Sequence, residues 1–131
     1  MDKTLRQLDR MLKALADPTR LRMVSLLQTG AVCVCHIHES LDIPQPKASR
    51  HLAYLKRAGI VHSEKRGLWV YYQLAPQSSD AAQRLLDAAR QTAAGLATAI
   101  RDAKRLAATG CCVEPQMRQV RHAPAEVPLR R

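Results

Sequence analysis

Several features of enzymes and membrane proteins are absent from this chain of 131 residues. Phenylalanine does not occur, and the five glycines form neither a phosphate-binding loop nor an internal repeat. Because we find no nucleophile or acid–base pair at a catalytic spacing, we expect a protein that is not an enzyme. No apolar run approaches the roughly 18 residues of a membrane span, and the first 30 residues lack the apolar segment of a signal peptide. We therefore expect a cytoplasmic protein without a membrane partner.

Acidic residues are also scarce, and this imbalance indicates a class of partner. Lysine and arginine total 21 against 11 aspartates and glutamates, which gives a net charge of +10. Such a charge is typical of proteins that bind polyanions, although it also suits a basic surface that is merely soluble. The length and the 47% of hydrophobic residues fit one globular domain, which we place at residues 1–110.

Hydrophobic spacing predicts a mainly helical fold. Apolar residues recur at helical intervals over residues 3–15, and Asp17 followed by Pro18 is typical of the start of a second helix. A third helix over residues 33–41 and a fourth over residues 46–58 are separated by a turn that contains proline. Two helices at this spacing predict a helix-turn-helix.

The next segment alternates instead of following the helical period. Trp69, Tyr71 and Gln73 alternate with apolar residues, so we predict a β-hairpin, or wing, over residues 60–74. In this alternation Tyr72 belongs to the apolar face, whereas Trp69 and Tyr71 lie on the other face and are expected to be more exposed. The predicted fold class is mainly α with a small β-hairpin.

An alanine-rich segment then predicts a long helix that takes part in dimerisation. Residues 79–109 hold 11 alanines, and small and apolar side chains form one stripe. Because neither this helix nor the first has an obvious partner in so short a chain, we expect both to pack against a second copy in a two-fold homodimer. The alternative is packing against the second helix of the same chain. Residues 111–131, which begin with Cys111 and Cys112, are polar and broken by prolines, so we expect a flexible tail.

The cations concentrate on one face of the fourth helix and on the wing. At about 100° per residue, Ala48, Leu52 and Leu55 share the core face, and the opposite face carries cations, hydroxyls and small residues without an acid. The start of such a helix contacts bases in the major groove, and long cations at a hairpin tip reach phosphate or the minor groove. The predicted DNA-binding residues are Gln45, Lys47, Ser49, Arg50, His51, Tyr54, Arg57, Lys65 and Arg66.

Taken together, these motifs resemble the ArsR/SmtB family of winged-helix metalloregulatory repressors. The resemblance covers about residues 5–109, and its most specific parts are ALADPTRLR at 14–22, VCVC at 32–35, SRHLAYLKRAGIV at 49–61, RG at 66–67 and YY at 71–72. It implies a homodimer that binds double-stranded operator DNA and leaves it when an inducer binds. The family's arsenic and cadmium sensors carry ELCVCDLC, which AVCVCHIH matches here with a histidine at the third thiol position.

The cysteines are the predicted inducer site. Thiolates select soft or thiophilic ions, so we expect As(III) or Sb(III) as the inducer, with Cd, Pb or Zn as the nearest alternative. The resemblance implies three thiolates for arsenic, so Cys33 and Cys35 need a further ligand, which we expect from Cys111 and Cys112 or from His38. On an ideal helix Cys33 and Cys35 point about 200° apart, so both can bind one ion only if the start of the helix frays.

Other roles for the cysteines stay open at the level of sequence. Cys33 also fits a small buried hydrophobe, and Cys111 with Cys112 also fits a separate site. A redox or persulfide sensor on the same DNA-binding scaffold predicts disulfide formation under oxidant without metal stoichiometry. A thiol-based metal carrier, whose basic charge is incidental, predicts little binding to duplex DNA.

Overall fold

The computed structural model describes residues 2–109, which form a helical domain with a small sheet. Its helices are α1 (Lys3–Leu15), α2 (Pro18–Leu26), α3 (Val34–Leu41), α4 (Gln45–Arg57), α5 (Asp80–Ala94) and α6 (Ala97–Ala108). Its strands are β1 (Val32–Cys33), β2 (Val61–Arg66) and β3 (Trp69–Leu74), and a 3₁₀ turn, Leu27–Thr29, follows α2. Helices α3 and α4 form the helix-turn-helix and β2 with β3 forms the wing, which confirms the predicted fold class. Within residues 2–109, none of the helices has the length and apolarity needed to cross a membrane.

Local capping explains where several of these helices begin and end. The side chain of Asp17 accepts a hydrogen bond from the backbone N–H of Arg20 at 3.0 Å, and the Ser79 hydroxyl accepts one from the N–H of Ala82 at 3.1 Å. Each bond satisfies a first-turn donor that has no partner inside its helix. After α4, Gly59 adopts φ +80, the left-handed conformation that glycine takes without strain, and so ends the helix where the sequence predicts.

The core is a cluster of aliphatic side chains contributed by helices α1 to α5 and by strands β1 and β2. The three residues predicted for the core face of α4, Ala48, Leu52 and Leu55, are fully buried. Burial of this face leaves the opposite, cationic face of α4 toward solvent.

The sheet differs from the predicted two-stranded hairpin because it has a third strand. The strand order is β1-β3-β2, and Cys33 of β1 pairs with Tyr71 of β3. The expectation that Tyr71 is exposed is wrong: the residue is 5% exposed, because Ala31 and Cys33 pack on its side of the sheet. Trp69 lies beyond the paired part of β1 and is 52% exposed, as expected.

The predicted single helix over residues 79–109 is two helices. The backbone breaks at Gly95 and at Leu96, whose extended conformation (φ −81, ψ 147) cannot continue a helix. Helix α6 then packs on α2 and α3, where Asp102 forms a bidentate ion pair with Arg22, with N–O distances of 2.8 and 2.9 Å. The periodicity did not predict this break, because alanine is favourable on both sides of it.

The packing of α5 also narrows the predicted dimer surface. Helix α5 packs against α1 and α2 of its own chain, so for α5 the alternative of intramolecular packing is correct. The large apolar side chains that stay exposed lie outside α5: Leu5 and Leu12 on α1, Leu96 and Ile100 next to or on α6, and Leu68 and Trp69 on the wing. The stripe of small and apolar residues predicted over residues 79–109 is therefore partly buried in the core, on α5, and partly exposed to solvent, at Leu96 and Ile100.

Candidate nucleic-acid interface and thiol pair

The solvent-facing side of α4 carries most of the residues predicted to bind DNA. We call this set the recognition surface: Gln45, Lys47, Ser49, Arg50, His51, Tyr54 and Arg57. Gln45, Lys47, Arg50 and Arg57 are exposed, and the other members are partly buried. The helix begins after Pro44, which provides no side-chain cap, and residues 44–47 are exposed, so the positive dipole end of the helix is open to solvent. The surface therefore combines cations, a helix N-terminus and groups that can hydrogen-bond to bases.

An open pocket of about 530 Å³ lies between α2 and this surface. The residues that line it are Arg20, Lys47, Arg50, His51, Ala53, Tyr54 and Arg57. The guanidinium carbon of Arg20 lies 4.1 Å from the centroid of the Tyr54 ring, and that of Arg57 lies 5.6 Å from the same centroid. Two guanidinium groups held against one ring form a fixed positive site, which suits phosphate oxygens of a nucleic-acid backbone.

Arg20 is a member of this site that the sequence did not identify. Its Nε donates to the carbonyl oxygen of Ala14 at 2.6 Å, and its Nη1 lies 3.1 Å from Nδ1 of His51. The side chain thus connects the end of α1 with the recognition surface. The signal in the sequence is the ALADPTRLR motif alone, which does not reveal that α2 and α4 are neighbours.

The charges around this pocket act on two titratable groups. Burial lowers the pKa of His51, and the cations Arg20, Lys47 and Arg50 lower it further, against the opposing effect of the Asp17 carboxylate. For Asp17, burial raises the pKa, but the N–H groups of Arg20 and Thr19 and the charges of Arg20 and His51 outweigh it, so the pKa is lowered. The neutral form of His51 is therefore favoured beside a carboxylate that stays ionised.

The wing carries the two remaining cations predicted to contact DNA, and they differ in their surroundings. Lys65 is exposed, whereas the Nε of Arg66 donates to Glu64 Oε2 at 2.9 Å. At the other end of the wing, the Lys56 ammonium donates to the Ser63 hydroxyl at 2.8 Å and so joins α4 to β2. Lys65 is thus open to solvent, while Arg66 is already engaged in an ion pair.

Cys33 and Cys35 lie together at the start of α3, and we call them the thiol pair. Their sulfur atoms are 2.8 Å apart, and Cys33 Sγ also accepts from the backbone N–H of Cys35 at 3.4 Å. This proximity is possible because Cys33 is the N-cap in extended conformation (φ −68, ψ 143) rather than a helical residue. The sequence predicts that both cysteines can bind one ion only if the start of the helix is not helical, and the structure meets this condition at Cys33. Cys33 is fully buried and Cys35 partly so.

Of the other predicted ligands, only His38 lies within residues 2–109, and it forms no metal-binding group with the thiol pair. The Nδ1 atom of His38 lies 3.2 Å from the carbonyl oxygen of Ile43, in the turn before α4. In this part of the chain, His, Cys, Asp and Glu residues form no group of three or more that could hold a metal ion. Cys111 and Cys112 lie outside the described residues, so their role as ligands stays a prediction.

Helix α3 connects the thiol pair to the recognition surface. The thiol pair lies at its first turn, and its last turn is held by two arginines. Arg22 donates to the carbonyl oxygen of Leu41 at 2.8 Å, and Arg105 donates to that of Ser40 at 3.3 Å. Asp102 hydrogen-bonds to Arg22 and raises the pKa of this guanidinium. Helix α3 therefore runs from the thiol pair to the turn before α4, and Arg22 and Arg105 hold its last turn.

Comparison with known proteins relates the chain to bacterial regulators. Residues 17–63 match the family described as "Bacterial regulatory protein, arsR family". The chain is 50% identical over 66 residues to the Arsenic resistance transcriptional regulator ArsR1 of Pseudomonas putida, an alignment that covers 50% of this chain and 52% of that relative. It is 46% identical over 78 residues to the Arsenical resistance operon repressor of Escherichia coli K12, covering 59% of this chain and 67% of that relative.

A solved structure has a similar fold. The homodimeric winged helix-turn-helix DNA-binding domain of Mb0332 from Mycobacterium bovis, described as a possible ArsR-family transcriptional regulator, matches with a TM-score of 0.58 and 30% identity. The match covers 69% of this chain and 81% of that one. These relatives are named as regulators and repressors, which confirms the prediction of a regulator rather than an enzyme.

Proposed function

This chain belongs to the ArsR/SmtB family of bacterial regulatory proteins, and we propose that it represses transcription by binding operator DNA as a homodimer. Binding of As(III) or Sb(III) to its thiols releases it from the operator. The 2.8 Å distance between the two sulfurs, at the start of the helix that leads into α4, supports this most directly. The names of the two bacterial relatives, both concerned with arsenic resistance, favour the same class of inducer.

The recognition surface supports DNA as the partner. Its exposed cations lie on one helix face that the burial of Leu52 and Leu55 fixes toward solvent. In a helix-turn-helix, the second helix enters the major groove and its N-terminal residues contact base edges. Lys47, Ser49 and Arg50 occupy that part of α4 and are the residues we expect to contact bases, whereas Arg57 contacts phosphate.

Exposed apolar side chains support the homodimer. Leu5 and Leu12, one face of α1, are 54% and 53% exposed, and Leu96 and Ile100 are 57% and 46% exposed. Large apolar side chains in such number on two elements of one small domain favour burial against a second copy. A two-fold dimer would place two α4 helices on successive major grooves of an operator with two half-sites.

The inducer requires a third thiolate in addition to the thiol pair. We expect it from Cys111 or Cys112, in the same chain or in the partner. Because Cys33 is buried and belongs to the extended segment before α3, its ligation together with Cys35 changes the backbone at the helix start. A coupling of about 1–3 kcal/mol between this change and DNA binding would reduce the operator affinity by a factor between several-fold and about a hundredfold.

Fluorescence anisotropy of the reduced full chain on the DNA upstream of its own gene tests the proposal. Arsenite, antimonite, cadmium, lead and zinc are titrated in parallel, with Cys35→Ser and the double variant Cys111→Ser/Cys112→Ser as matched thiol variants. We expect arsenite or antimonite to release the wild type, and neither variant to respond while both bind DNA normally. If only Cd, Pb or Zn releases the protein, that ion and not arsenic or antimony is the inducer. If the protein does not bind duplex DNA at all, the alternative function of a thiol-based metal carrier is favoured.

The same sulfur–sulfur distance also favours a second function, a thiol redox sensor. Hydrogen peroxide would take one hydrogen from each thiol, forming the Cys33–Cys35 disulfide and two molecules of water. DNA binding that no ion changes, but that is lost on oxidation and restored by a reductant, would establish this function instead.

A further inference from the structure

The wing ends in an apolar tip. The register of the hairpin pairs Arg66 with Trp69, which leaves a two-residue loop of Gly67 and Leu68. Gly67 has φ +61, and a positive φ at the first loop position is typical of a type II′ turn, in which glycine is preferred. Leu68 is 90% exposed and Trp69 is 52% exposed. The fold thus presents two large apolar side chains at the point of the wing farthest from the core.

The charges beside this tip favour a polyanion as its partner. Lys65 is exposed next to it, whereas Arg66 is held back by its ion pair with Glu64. The other large apolar side chains exposed within residues 2–109 belong to α1 and to the α6 region, where we expect the second copy. Leu68 and Trp69 are separate from that group and lie on a hairpin that continues directly from the recognition helix. An apolar point flanked by a cation matches a DNA groove, whose walls are sugars and whose edges are phosphates.

The length of the wing fits the spacing between two grooves. Strand β2 has six residues and spans about 20 Å from Val61, which is 2% exposed in the core, to the tip. Along a duplex, the minor groove lies half a helical turn, roughly 17 Å, from the major groove. At the root of the wing, the backbone N–H of Ile60 donates to the carbonyl oxygen of Leu55 at 3.0 Å, and the Lys56–Ser63 hydrogen bond joins β2 to α4. With α4 in the major groove, the tip therefore reaches the adjacent minor groove.

We propose that Leu68 inserts into this minor groove as an apolar wedge, with Trp69 packed against the groove wall and Lys65 on a flanking phosphate. The inference rests on the proposed binding of α4 to operator DNA. Apolar side chains that enter the minor groove partly unstack a base step and kink the duplex. Because pyrimidine–purine steps deform most easily, the wedge adds a preference for TA or CA/TG at a fixed distance from the bases that α4 contacts.

The test uses the reduced full chain and a duplex that the wild type selects from a random-sequence pool. 2-Aminopurine, whose fluorescence rises on unstacking, is placed at successive steps flanking the sequence bound by α4. Trp69 is the one tryptophan of the sequence, so its emission reports on the wing alone. The matched variants are Leu68→Gln, which keeps the size but not the apolar character, and Leu68→Met, which keeps both.

We expect a fluorescence rise at one pyrimidine–purine step and a change in Trp69 emission when the wild type binds. Leu68→Gln should bind about tenfold more weakly and lose the rise, whereas Leu68→Met should retain both. Since Leu68 is 90% exposed, neither variant should change the thermal midpoint of unfolding. Equal affinity and equal unstacking by Leu68→Gln and the wild type would overturn the wedge alone. Failure of the wild type to select any duplex would instead overturn the repressor proposal together with it.

Discussion

The recognition surface and the thiol pair differ in how far one chain completes them. The recognition surface is contiguous, solvent-facing and held in place by the burial of Leu52 and Leu55 on the other side of the same helix. The thiol pair consists of one buried and one partly buried cysteine at a helix end, and its expected further thiol ligands, Cys111 and Cys112, lie outside the described residues. A surface that meets a rigid duplex can be preformed, whereas a site that must change shape on ligation is better placed where the backbone leaves regular structure.

Helix α3 separates the two regions and also connects them. Its first turn follows Cys33, and its last turn is anchored by Arg22 and Arg105. Substitutions within either region should therefore affect one function, while a substitution that releases this anchor should affect both. Four predictions test this difference, from the largest expected effect to the smallest.

Loss of the Asp102 carboxylate should have the largest effect on the protein. It should impair both regions together, because both depend on the position of α3. Asp102 is 1% exposed and holds Arg22, which in turn holds the end of α3. Asp102→Ala leaves a partly buried guanidinium unpaired, and we expect a loss of about 3 kcal/mol in the free energy of unfolding, with weaker DNA and arsenite binding.

Urea unfolding measures the stability, and Asp80→Ala is the matched control. The Asp80–Arg84 ion pair is exposed on α5, so its loss should cost about 0.5 kcal/mol or less. Equal losses in the two variants would show that the Arg22–Asp102 pair does not anchor α3.

A cation of the recognition surface should affect DNA binding alone. Arg50→Ala removes an exposed guanidinium from the part of α4 that we expect to contact bases, and operator affinity should fall about tenfold to a hundredfold. Arsenite binding, followed by thiol titration, should not change. Arg101→Ala removes the same charge from the exposed side of α6 and should leave operator affinity nearly unchanged. Normal operator binding by Arg50→Ala would show that this part of α4 does not contact the bases of the operator.

The two regions also differ in how much of them the sequence could predict. The recognition surface follows from helical periodicity, because one face of α4 is apolar and the other cationic, and the structure places these residues on the faces predicted. Arg20 was missed, since its contact with Tyr54 depends on the crossing of α2 and α4. Periodicity assigns faces within an element, but it does not say which elements are neighbours.

At the thiol pair, the sequence predicted the residues but not their geometry. Adjacent sulfurs require that Cys33 be extended, and this follows from its pairing with Tyr71 in a strand of two residues. Such a strand is too short to produce an alternating pattern, so no periodicity in the sequence indicates it. The burial of Tyr71 and the break at Gly95 were missed for the same kind of reason, because both depend on packing between distant segments.

Substitutions of the two cysteines of the thiol pair should differ in their effect on the free energy of unfolding, but both should abolish release from DNA by arsenite. Cys33 is fully buried, so Cys33→Ser places a hydroxyl in an apolar cluster and should lower the free energy of unfolding by about 1–2 kcal/mol. Cys35→Ser is partly exposed and should change it by less than about 0.5 kcal/mol. Both variants should lose release by arsenite. If one of them keeps full release in the anisotropy assay, the thiol pair is not the inducer site.

The smallest expected effect is a pH dependence that belongs to the recognition surface. Burial and the neighbouring cations lower the pKa of His51, so the folded chain takes up its proton at a lower pH than the unfolded chain does. Stability from this group is therefore complete above the ordinary histidine pKa of about 6.5 and is lost as the pH falls through that value toward the folded pKa. The lowered pKa of Asp17 keeps that carboxylate ionised in this window, so it does not contribute. His51→Gln should lose less stability than the wild type between pH of about 7 and about 5.5 in urea titrations. Parallel curves would mean that neither burial nor the cations of the pocket lower the pKa of His51 in the folded chain.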